Sequence, residues 1–392
     1  MRFLHLSDLH LGRSLCEYSL LEDQRYWCQG LLDYLETAPC DAVLIAGDLY
    51  DRSVPSAGAV ELCDWFLGEL AGRLALPVLC VSGNHDSPQR LGFASSLYRA
   101  SGLYMAAIPR REVSSVTLRD QWGEVDFFLL PYLTPGDGRT LFPEREIHTF
   151  QDTYQAVLEE NRQRMERCPR RVLVAHGFFA RGADRDGSGL AFCDSEVSVG
   201  GAGRVDAALL DGFSYCALGH LHACQPVGDE TARVWYSGSP LKYSVSEENH
   251  QKRALLVELD GEGDVTVEKI ALPRLRDLRT VKGTMEQLLA PTGGGFASDD
   301  YVQITVLTQG TEVAASRQLR NVYPNYLQIR YQSPVTQALE LGGHGELSRL
   351  TMSGAYQRFY RQVTGHDLAP EALELLERLS RQAEQEREEE TG

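Results

Sequence analysis

Five short apolar runs, each followed directly by a turn rich in Asp, Asn or His, constrain the fold more than any other feature. The central run, residues 42–46, is followed by Gly47 and Asp48. Such an aliphatic run is typical of a strand buried on both faces, and open α/β sheets bind ligands beyond the carboxyl ends of these strands. Four further runs show the same arrangement: 2–6 before Asp8 and His10, 77–82 before Asn84 and His85, 171–175 before His176, and 215–218 before His220 and His222. The pattern predicts that these side chains converge at one sheet edge as a metal site.

The donor types at these turns indicate which metals and which reaction the site would serve. Seven candidate ligands follow the runs: Asp8, His10, Asp48, Asn84, His176, His220 and His222. Carboxylate, amide and imidazole donors without thiolate suit Mn²⁺, Fe²⁺ or Zn²⁺. Seven are too many for one ion with an open position but fit two ions that share a carboxylate, for which Asp48 on the central strand is the natural bridge. Two such ions, about 3.5–4 Å apart, activate water and hold both oxygens of a phosphodiester during displacement.

Three residues beside these ligands are predicted to act on the substrate. His85 is predicted to protonate the leaving oxygen or to stabilise the charge that develops there, a role that contributes about 10²–10⁴-fold in rate. Asp51, three residues after Asp48, is predicted to orient and charge His85. Arg52 is predicted to bind a phosphate oxygen as a bidentate fork; a plain surface charge is the alternative.

Composition and charge exclude several classes of protein. No apolar run reaches the ~18 residues needed to span a bilayer, and the first residues lack a signal-peptide pattern. The nine cysteines include no CxxC pair, which favours reduced core thiols and a cytoplasmic location. The net charge of −17 argues against a broad basic surface for nucleic acid. If DNA is the substrate, its binding must come from metals, local arginines or a second protein.

Length and layout predict three parts in an α/β chain. The 392 residues exceed one ordinary core, and alternating strands and helices predict parallel crossover units over residues 1–272. Hairpins are expected at 113–118 with 125–131 and at 253–259 with 265–270, and one helix is expected from Pro88 to about residue 100. Residues 275–342 predict a small α+β module. Residues 346–392 predict a helical tail with apolar i, i+3, i+4 spacing, which we interpret as a partner-binding surface, with ordinary core packing as the alternative.

The order of the motifs resembles the calcineurin-like metallophosphoesterases. The chain carries Asp-x-His, Gly-Asp-x-x-Asp-Arg, Gly-Asn-His-Asp, a His-Gly after a strand, and Gly-His-x-His. Its sequence motifs HLSDLHLG, GDLYDRS, SGNHDS, GHLH and YSGSPLKYS are similar to those of the bacterial DNA-end nuclease subunits within this family. The resemblance implies a four-layer αββα sandwich, a small capping domain that binds DNA, a C-terminal helical tail and two Mn²⁺ ions.

The same resemblance implies a ligand set and an assembly. One ion would be held by Asp8, His10, Asp48 and His222, and the other by Asp48, Asn84, His176 and His220. The subunits would form a homodimer within a heterotetramer, joined through the tail to an SbcC-type ATPase with a long coiled coil. The complex would act as an ATP-dependent double-strand exonuclease and a single-strand or hairpin endonuclease. Archaeal relatives carry histidine where Asp51 stands, whereas this chain has the carboxylate seen in the phosphatases of the family.

Two other functions use the same residues. A phosphatase or cyclic-nucleotide phosphodiesterase shares the two-metal chemistry, but a small substrate requires neither the module after residue 275 nor an amphipathic tail. A non-catalytic scaffold would be expected to have a degraded ligand set, whereas all seven ligand positions and His85 are chemically competent.

Overall fold

A computed structural model describes residues 1–181, 190–193, 203–229, 231–289, 299–308 and 316–332, with isolated positions at 357, 372–373 and 378. The chain divides into two compact units, Met1–Arg279 and Thr280–Gly392. Nearly all of the predicted tail at 346–392 lies outside the described residues, and its partner-binding role stays a prediction. Among the described residues, no helix combines the length and apolar character that crossing a bilayer requires.

The described strands and helices are numbered in chain order. The strands are β1 Arg2–Leu6, β2 Ser14–Leu15, β3 Tyr18–Ser19, β4 Ala42–Ala46, β5 Val78–Val81, β6 Leu103–Ala106, β7 Ser114–Asp120, β8 Gly123–Leu130, β9 Arg171–His176, β10 Phe178–Ala180, β11 Arg204–Asp206, β12 Tyr215–Gly219, β13 Gln225–Pro226, β14 Val234–Tyr236, β15 Ala254–Leu259, β16 Val265–Ile270, β17 Leu278–Gly283, β18 Tyr301–Leu307 and β19 Tyr326–Gln332. The helices are α1 Leu21–Thr37, α2 Ala57–Leu67, α3 Pro88–Leu91, α4 Ser95–Tyr98, α5 Pro135–Leu141, α6 Phe150–Met165, α7 Met285–Leu289 and α8 Ser316–Val322.

Two six-stranded sheets form the first unit. One has the order β16–β15–β1–β4–β5–β6, in which β1, β4, β5 and β6 run parallel. The other has the order β13–β14–β12–β9–β8–β7, in which β8, β9, β12 and β14 run parallel. The five runs therefore end at the edges of two sheets, not one: β1, β4 and β5 belong to the first sheet, and β9 and β12 to the second. The expectation of a single edge was wrong, because periodicity shows that a strand is buried but not which sheet it joins.

The two sheets pack face to face, with helices on their outer faces. Phe3 and Phe127 meet edge to face between the sheets with ring centroids 5.6 Å apart. Val43 and Ile45, on the opposite face of β4, are also fully buried. Helices α1 and α2 form the crossover connections from β1 to β4 and from β4 to β5. Tyr154 of α6 is buried in the apolar cluster on the outer side of the second sheet. The αββα layering expected of the fold is confirmed.

Local predictions fared differently at hairpins and helices. Both expected hairpins form, as β7 with β8 and β15 with β16. The single helix expected after Pro88 was wrong: α3 ends at Leu91, α4 spans Ser95–Tyr98, and a 3₁₀ turn follows at Arg99–Ser101. The break lies at Ala94, whose φ of 56° is left-handed and cannot continue an α-helix.

The second unit, by itself, is a small α+β module. Its described strands form one sheet in the order β17–β18–β19, with β18 and β19 parallel. Helices α7 and α8 contribute to its apolar core, which contains Val281, Leu288, Val302, Ile304, Val306, Leu319 and Tyr323.

Candidate metal centre

The loops that follow β1 and β4 run side by side and carry the first candidate ligands. The amide of Asp8 donates to the carbonyl of Gly47 at 3.0 Å, and that of His10 donates to the carbonyl of Asp48 at 2.9 Å. A Cβ atom on Gly47 would lie 2.3 Å from Nδ1 of His176, so only glycine lets the loop pass this ring. These bonds fix ligands from adjacent strands at one place.

Four of the seven candidate ligands have a left-handed backbone. Their φ angles are 52° at Asp8, 43° at His10, 51° at Asp48 and 119° at His220. Non-glycine residues rarely adopt positive φ, and such strain, which costs about 1–3 kcal/mol at each residue, clusters at functional sites. The surrounding fold therefore holds these side chains in positions that the local backbone disfavours.

His176 provides a direct test of whether a cation fits. Its Nδ1 donates to the carbonyl of Ala46 at 2.8 Å, and burial lowers the pKa of the ring to about 3. Its Nε2 is therefore an unprotonated acceptor, yet it lies 2.9 Å from the acceptor Oδ1 of Asn84 and 3.5 Å from Oδ2 of Asp48. Nδ1 of His220 approaches the same Asn84 oxygen at 3.1 Å. Acceptors directed at one another fit a metal ion bound between them.

A second group of donors surrounds His10. Ligand atoms of Asp8, His10 and His222 all lie within 4.8 Å of one another. Nε2 of His10 is 3.2 Å from Nε2 of His222 and 3.7 Å from Oδ2 of Asp48. Nδ1 of His10 is buried without a hydrogen-bond partner. Burial and the charge of His222 lower the pKa of His10 well below its ordinary value, which leaves it a neutral ligand.

The buried carboxylates also indicate a bound cation. Burial raises the pKa of Asp8 to about 8 and that of Asp48 to about 6, because neither negative charge is fully compensated by the protein. A divalent ion supplies the missing charge. All seven predicted ligands are thus brought together, with Asp48 between the two groups, and they fit two divalent cations.

The three predicted substrate-side residues lie next to this centre. The amide of His85 donates to Oδ1 of Asp48 at 2.8 Å, and its Nδ1 is 2.9 Å from the main-chain carbonyl of Asp51. The carboxylate of Asp51 accepts instead from Arg13 at 2.7 Å. Asp51 therefore contacts His85 through its backbone carbonyl, and a carboxylate oxygen of Asp51 lies within 4.8 Å of a ring nitrogen of His85. Arg52, with a side chain 81% exposed, lies beyond Asp51.

Comparison with models of known protein families shows to which family the chain belongs. The family model described as Calcineurin-like phosphoesterase matches residues 1–224, more than half of the chain. The chain belongs to the calcineurin-like phosphoesterases. Enzymes of this family use divalent metals, and the donor groups described above are candidate ligands for them. A second model, described as Type 5 capsule protein repressor C-terminal domain, matches residues 274–364.

Two relatives that match this calcineurin-like phosphoesterase over nearly its whole length share one name. The D subunit of the nuclease SbcCD from Staphylococcus saprophyticus is 27% identical over 379 residues, which is 97% of each chain. Its namesake from Staphylococcus epidermidis is 27% identical over 369 residues, 94% of this chain and 95% of that one. The crystal structure of TT1561 of Thermus thermophilus is similar at a TM-score of 0.39 and 13% identity, over 68% of this chain and 98% of that one.

Sequence reasoning missed two acidic residues of the phosphoesterase site. The carboxylate of Asp86 accepts from the amides of Leu49, Tyr50 and Gly83 at 2.9–3.1 Å, which joins the loops after β4 and β5. Its signal was its place directly after His85 in the motif. Glu247 is fully buried, and its carboxylate lies 3.1 Å from Nδ1 of His222. Its position close after YSGSPLKYS, a stretch used only for the resemblance, was the available signal.

Proposed function

We propose that the chain is the nuclease subunit of an SbcCD-type complex, which hydrolyses phosphodiester bonds at DNA ends in repair and recombination. The observation that carries the proposal is the convergence of two donor groups on Asp48, within a chain similar over nearly its whole length to proteins named as the D subunit of the nuclease SbcCD. In this interpretation, the complex is an ATP-dependent exonuclease on double strands and an endonuclease on single strands and hairpins.

Each side chain has a distinct task in this proposal. Asp8, His10, Asp48 and His222 would hold one ion, and Asp48, Asn84, His176 and His220 the other; Mn²⁺ suits both donor sets. When bound, the ions polarise the phosphoryl oxygen and lower the pKa of a water molecule. His85, held at Nδ1 by the Asp51 carbonyl, retains Nε2 for proton transfer at the leaving oxygen. The exposed guanidinium of Arg52 would bind a phosphate oxygen.

Charge and exposed apolar surface support the proposed assembly. With a net charge of −17, the chain is poorly suited to bind DNA by itself. The SbcC ATPase partner and the second unit, as a capping domain, would therefore supply much of the DNA-binding affinity. The tail at 346–392 would dock SbcC, in the cytoplasm at the nucleoid. Phe93 and Leu97 are 75% and 73% exposed, and Tyr98 and Ile108 are exposed nearby, which supports a homodimer within the heterotetramer.

A cleavage assay on several DNA forms tests the proposal. Linear, hairpin and circular DNA would be incubated with the full chain, with and without Mn²⁺, SbcC and ATP. We expect nucleotides to be released from linear duplex only when metal is present, and Asp48→Ala to abolish both cleavage and bound metal. Asp33→Ala, which removes an exposed aspartate of α1, is the matched control. Release of phosphate from a small ester without DNA cleavage would support the metallophosphatase or cyclic-nucleotide phosphodiesterase alternative.

A further inference from the structure

The segment formed by residues 237–252 lies beside one half of the metal centre and contains a buried ion pair. Glu247 is fully buried, and one of its carboxylate oxygens accepts from Nζ of Lys252 at 2.5 Å. Nζ of Lys252 also donates to Oγ of Ser239 at 2.7 Å and to the carbonyl of His222 at 2.9 Å. A buried charge is costly unless it is paired and hydrogen-bonded. This pair is fully engaged, and both of its members contact His222.

The carboxylate of Glu247 fixes the orientation of the His222 ring. Its Oε1 lies 3.1 Å from Nδ1 of His222, so Nδ1 carries the proton and donates it in this bond. Nε2 is then the nitrogen that faces Nε2 of His10 at 3.2 Å. A carboxylate behind a ligating imidazole fixes its tautomer and makes it a stronger donor to metal. Sγ of Cys193 lies 3.7 Å from the same Nδ1, but the Lys252 ammonium already neutralises Glu247, which disfavours another cation there.

The same segment supports the other two members of this donor group. Oγ of Ser237 donates to Oγ of Ser7 at 2.8 Å, which in turn donates to Oδ2 of Asp8 at 2.5 Å. The hydroxyl of Tyr243 donates to the carbonyl of Leu9 at 2.5 Å, directly before His10. His176, in the other donor group, is oriented instead by a main-chain carbonyl of the β4 strand. The two halves of the centre thus have different supports.

We propose that Glu247, held by Lys252, is a positioning residue that sets the tautomer of His222 and thereby the affinity of the ion bound by Asp8, His10 and His222. This proposal rests on the proposed function, since it requires that the centre binds two ions. Loss of such a supporting partner lowers metal affinity about 10- to 100-fold. The loss should fall on one ion and leave the ion at Asn84, His176 and His220 in place.

Glu247→Gln is the informative substitution because it preserves shape. The ammonium of Lys252 can only donate hydrogen bonds, so it will bind the amide oxygen of the new side chain. The amide NH₂ is then turned toward Nδ1 of His222. The imidazole would then have to protonate Nε2, the nitrogen needed for metal. In the double variant Glu247→Gln/Lys252→Met the amide is free to turn its oxygen toward Nδ1, so part of the affinity should return. Glu262→Gln, at an exposed turn, is the matched control.

Manganese titration of the full chain, followed by calorimetry and electron paramagnetic resonance, tests the proposal without an activity assay. We expect two ions in the wild type and in Glu262→Gln, but one tight ion with an isolated Mn²⁺ signal in Glu247→Gln. Equal retention or equal loss of both ions in Glu247→Gln would overturn the inference. A wild type that binds no pair of ions would instead refute the proposed function. If Glu247→Gln fails to fold, Glu247→Asp keeps the charge and withdraws the carboxylate, with the same expectation.

Discussion

Gly83 offers a test of how closely the loops must approach at the metal centre. A Cβ atom added there would lie 2.1 Å from Oδ1 of Asp48, 2.4 Å from its amide nitrogen and 2.6 Å from Cγ. The φ angle of Gly83 is not in the left-handed region, so alanine can adopt it and the perturbation is the clash with Asp48. The substitution Gly83→Ala therefore perturbs one contact, the one between two ligand-bearing loops.

The size of the effect follows from these distances. Ordinary van der Waals contact begins near 3.4 Å, so the carboxylate of Asp48 must move by about 1.3 Å, the difference between 3.4 and 2.1 Å. Metal sites tolerate about 0.2 Å, and a displacement of about 1 Å costs on the order of 100-fold in rate. We expect Gly83→Ala to lose the bridging ligand, at least about 100-fold in rate, and about 1–3 kcal/mol of unfolding free energy through overpacking.

Metal analysis, a cleavage assay and urea unfolding on the same preparation measure all three effects. Gly68→Ala is the matched control, because a Cβ atom there meets nothing within 4 Å and the backbone is helical. The control should keep both metals and gain up to about 1 kcal/mol in stability. If Gly83→Ala bound both metals and cleaved DNA at nearly the wild-type rate, Asp48 could not be the bridging ligand that we propose.

Three further predictions address the acid, the tail and the core. His85→Gln should keep both metals and lose about 10²–10⁴-fold in DNA cleavage, whereas unchanged turnover would exclude His85 as the acid. Deleting residues 346–392 should leave metal binding intact and abolish co-purification with SbcC; a truncated chain that still co-purified would contradict the role of the tail. Asp120→Asn should lower the unfolding free energy by about 3 kcal/mol at pH 7, because the buried Arg170 donates to both oxygens of Asp120. The hydrogen bonds from Arg170 lower the pKa of Asp120, so this stabilisation is present above about pH 4, the ordinary pKa, and is lost as the pH falls. The difference in urea unfolding should shrink at pH 3, and an equal difference at both values would refute the assignment.

The convergence of the candidate ligands could be predicted because each of them follows closely after the end of a strand. A buried apolar run predicts a strand, and the strand fixes where the residues that follow it lie. Asp8 and Asp48 could therefore be assigned to the same sheet edge from sequence alone, since β1 and β4 are parallel neighbours. The hairpins likewise follow from alternation and glycine turns. The prediction of one helix over residues 88–100 was wrong, because the sequence gives no sign that Ala94 adopts a left-handed backbone.

Contacts between distant segments could not be predicted in the same way. Whether the carbonyl or the carboxylate of Asp51 meets His85 depends on the path of a loop, which local pattern does not determine. Glu247 lies 25 residues from His222 in sequence, and in a polar stretch it has the signature of a surface acid. Its burial depends on Lys252, and such pairing becomes visible only when the chain is folded.

Because the candidate metal donors come from both six-stranded sheets, the geometry of the centre depends on how the two sheets are aligned. Side chains such as Phe127, in the apolar cluster between the two sheets, hold the sheets in alignment. A large-to-small substitution between the sheets that lets one sheet slide by a few tenths of an ångström would release metal before the chain unfolds. Screens for loss of nuclease activity should therefore return temperature-sensitive alleles deep in the interior, and extra manganese in the growth medium should suppress them by mass action.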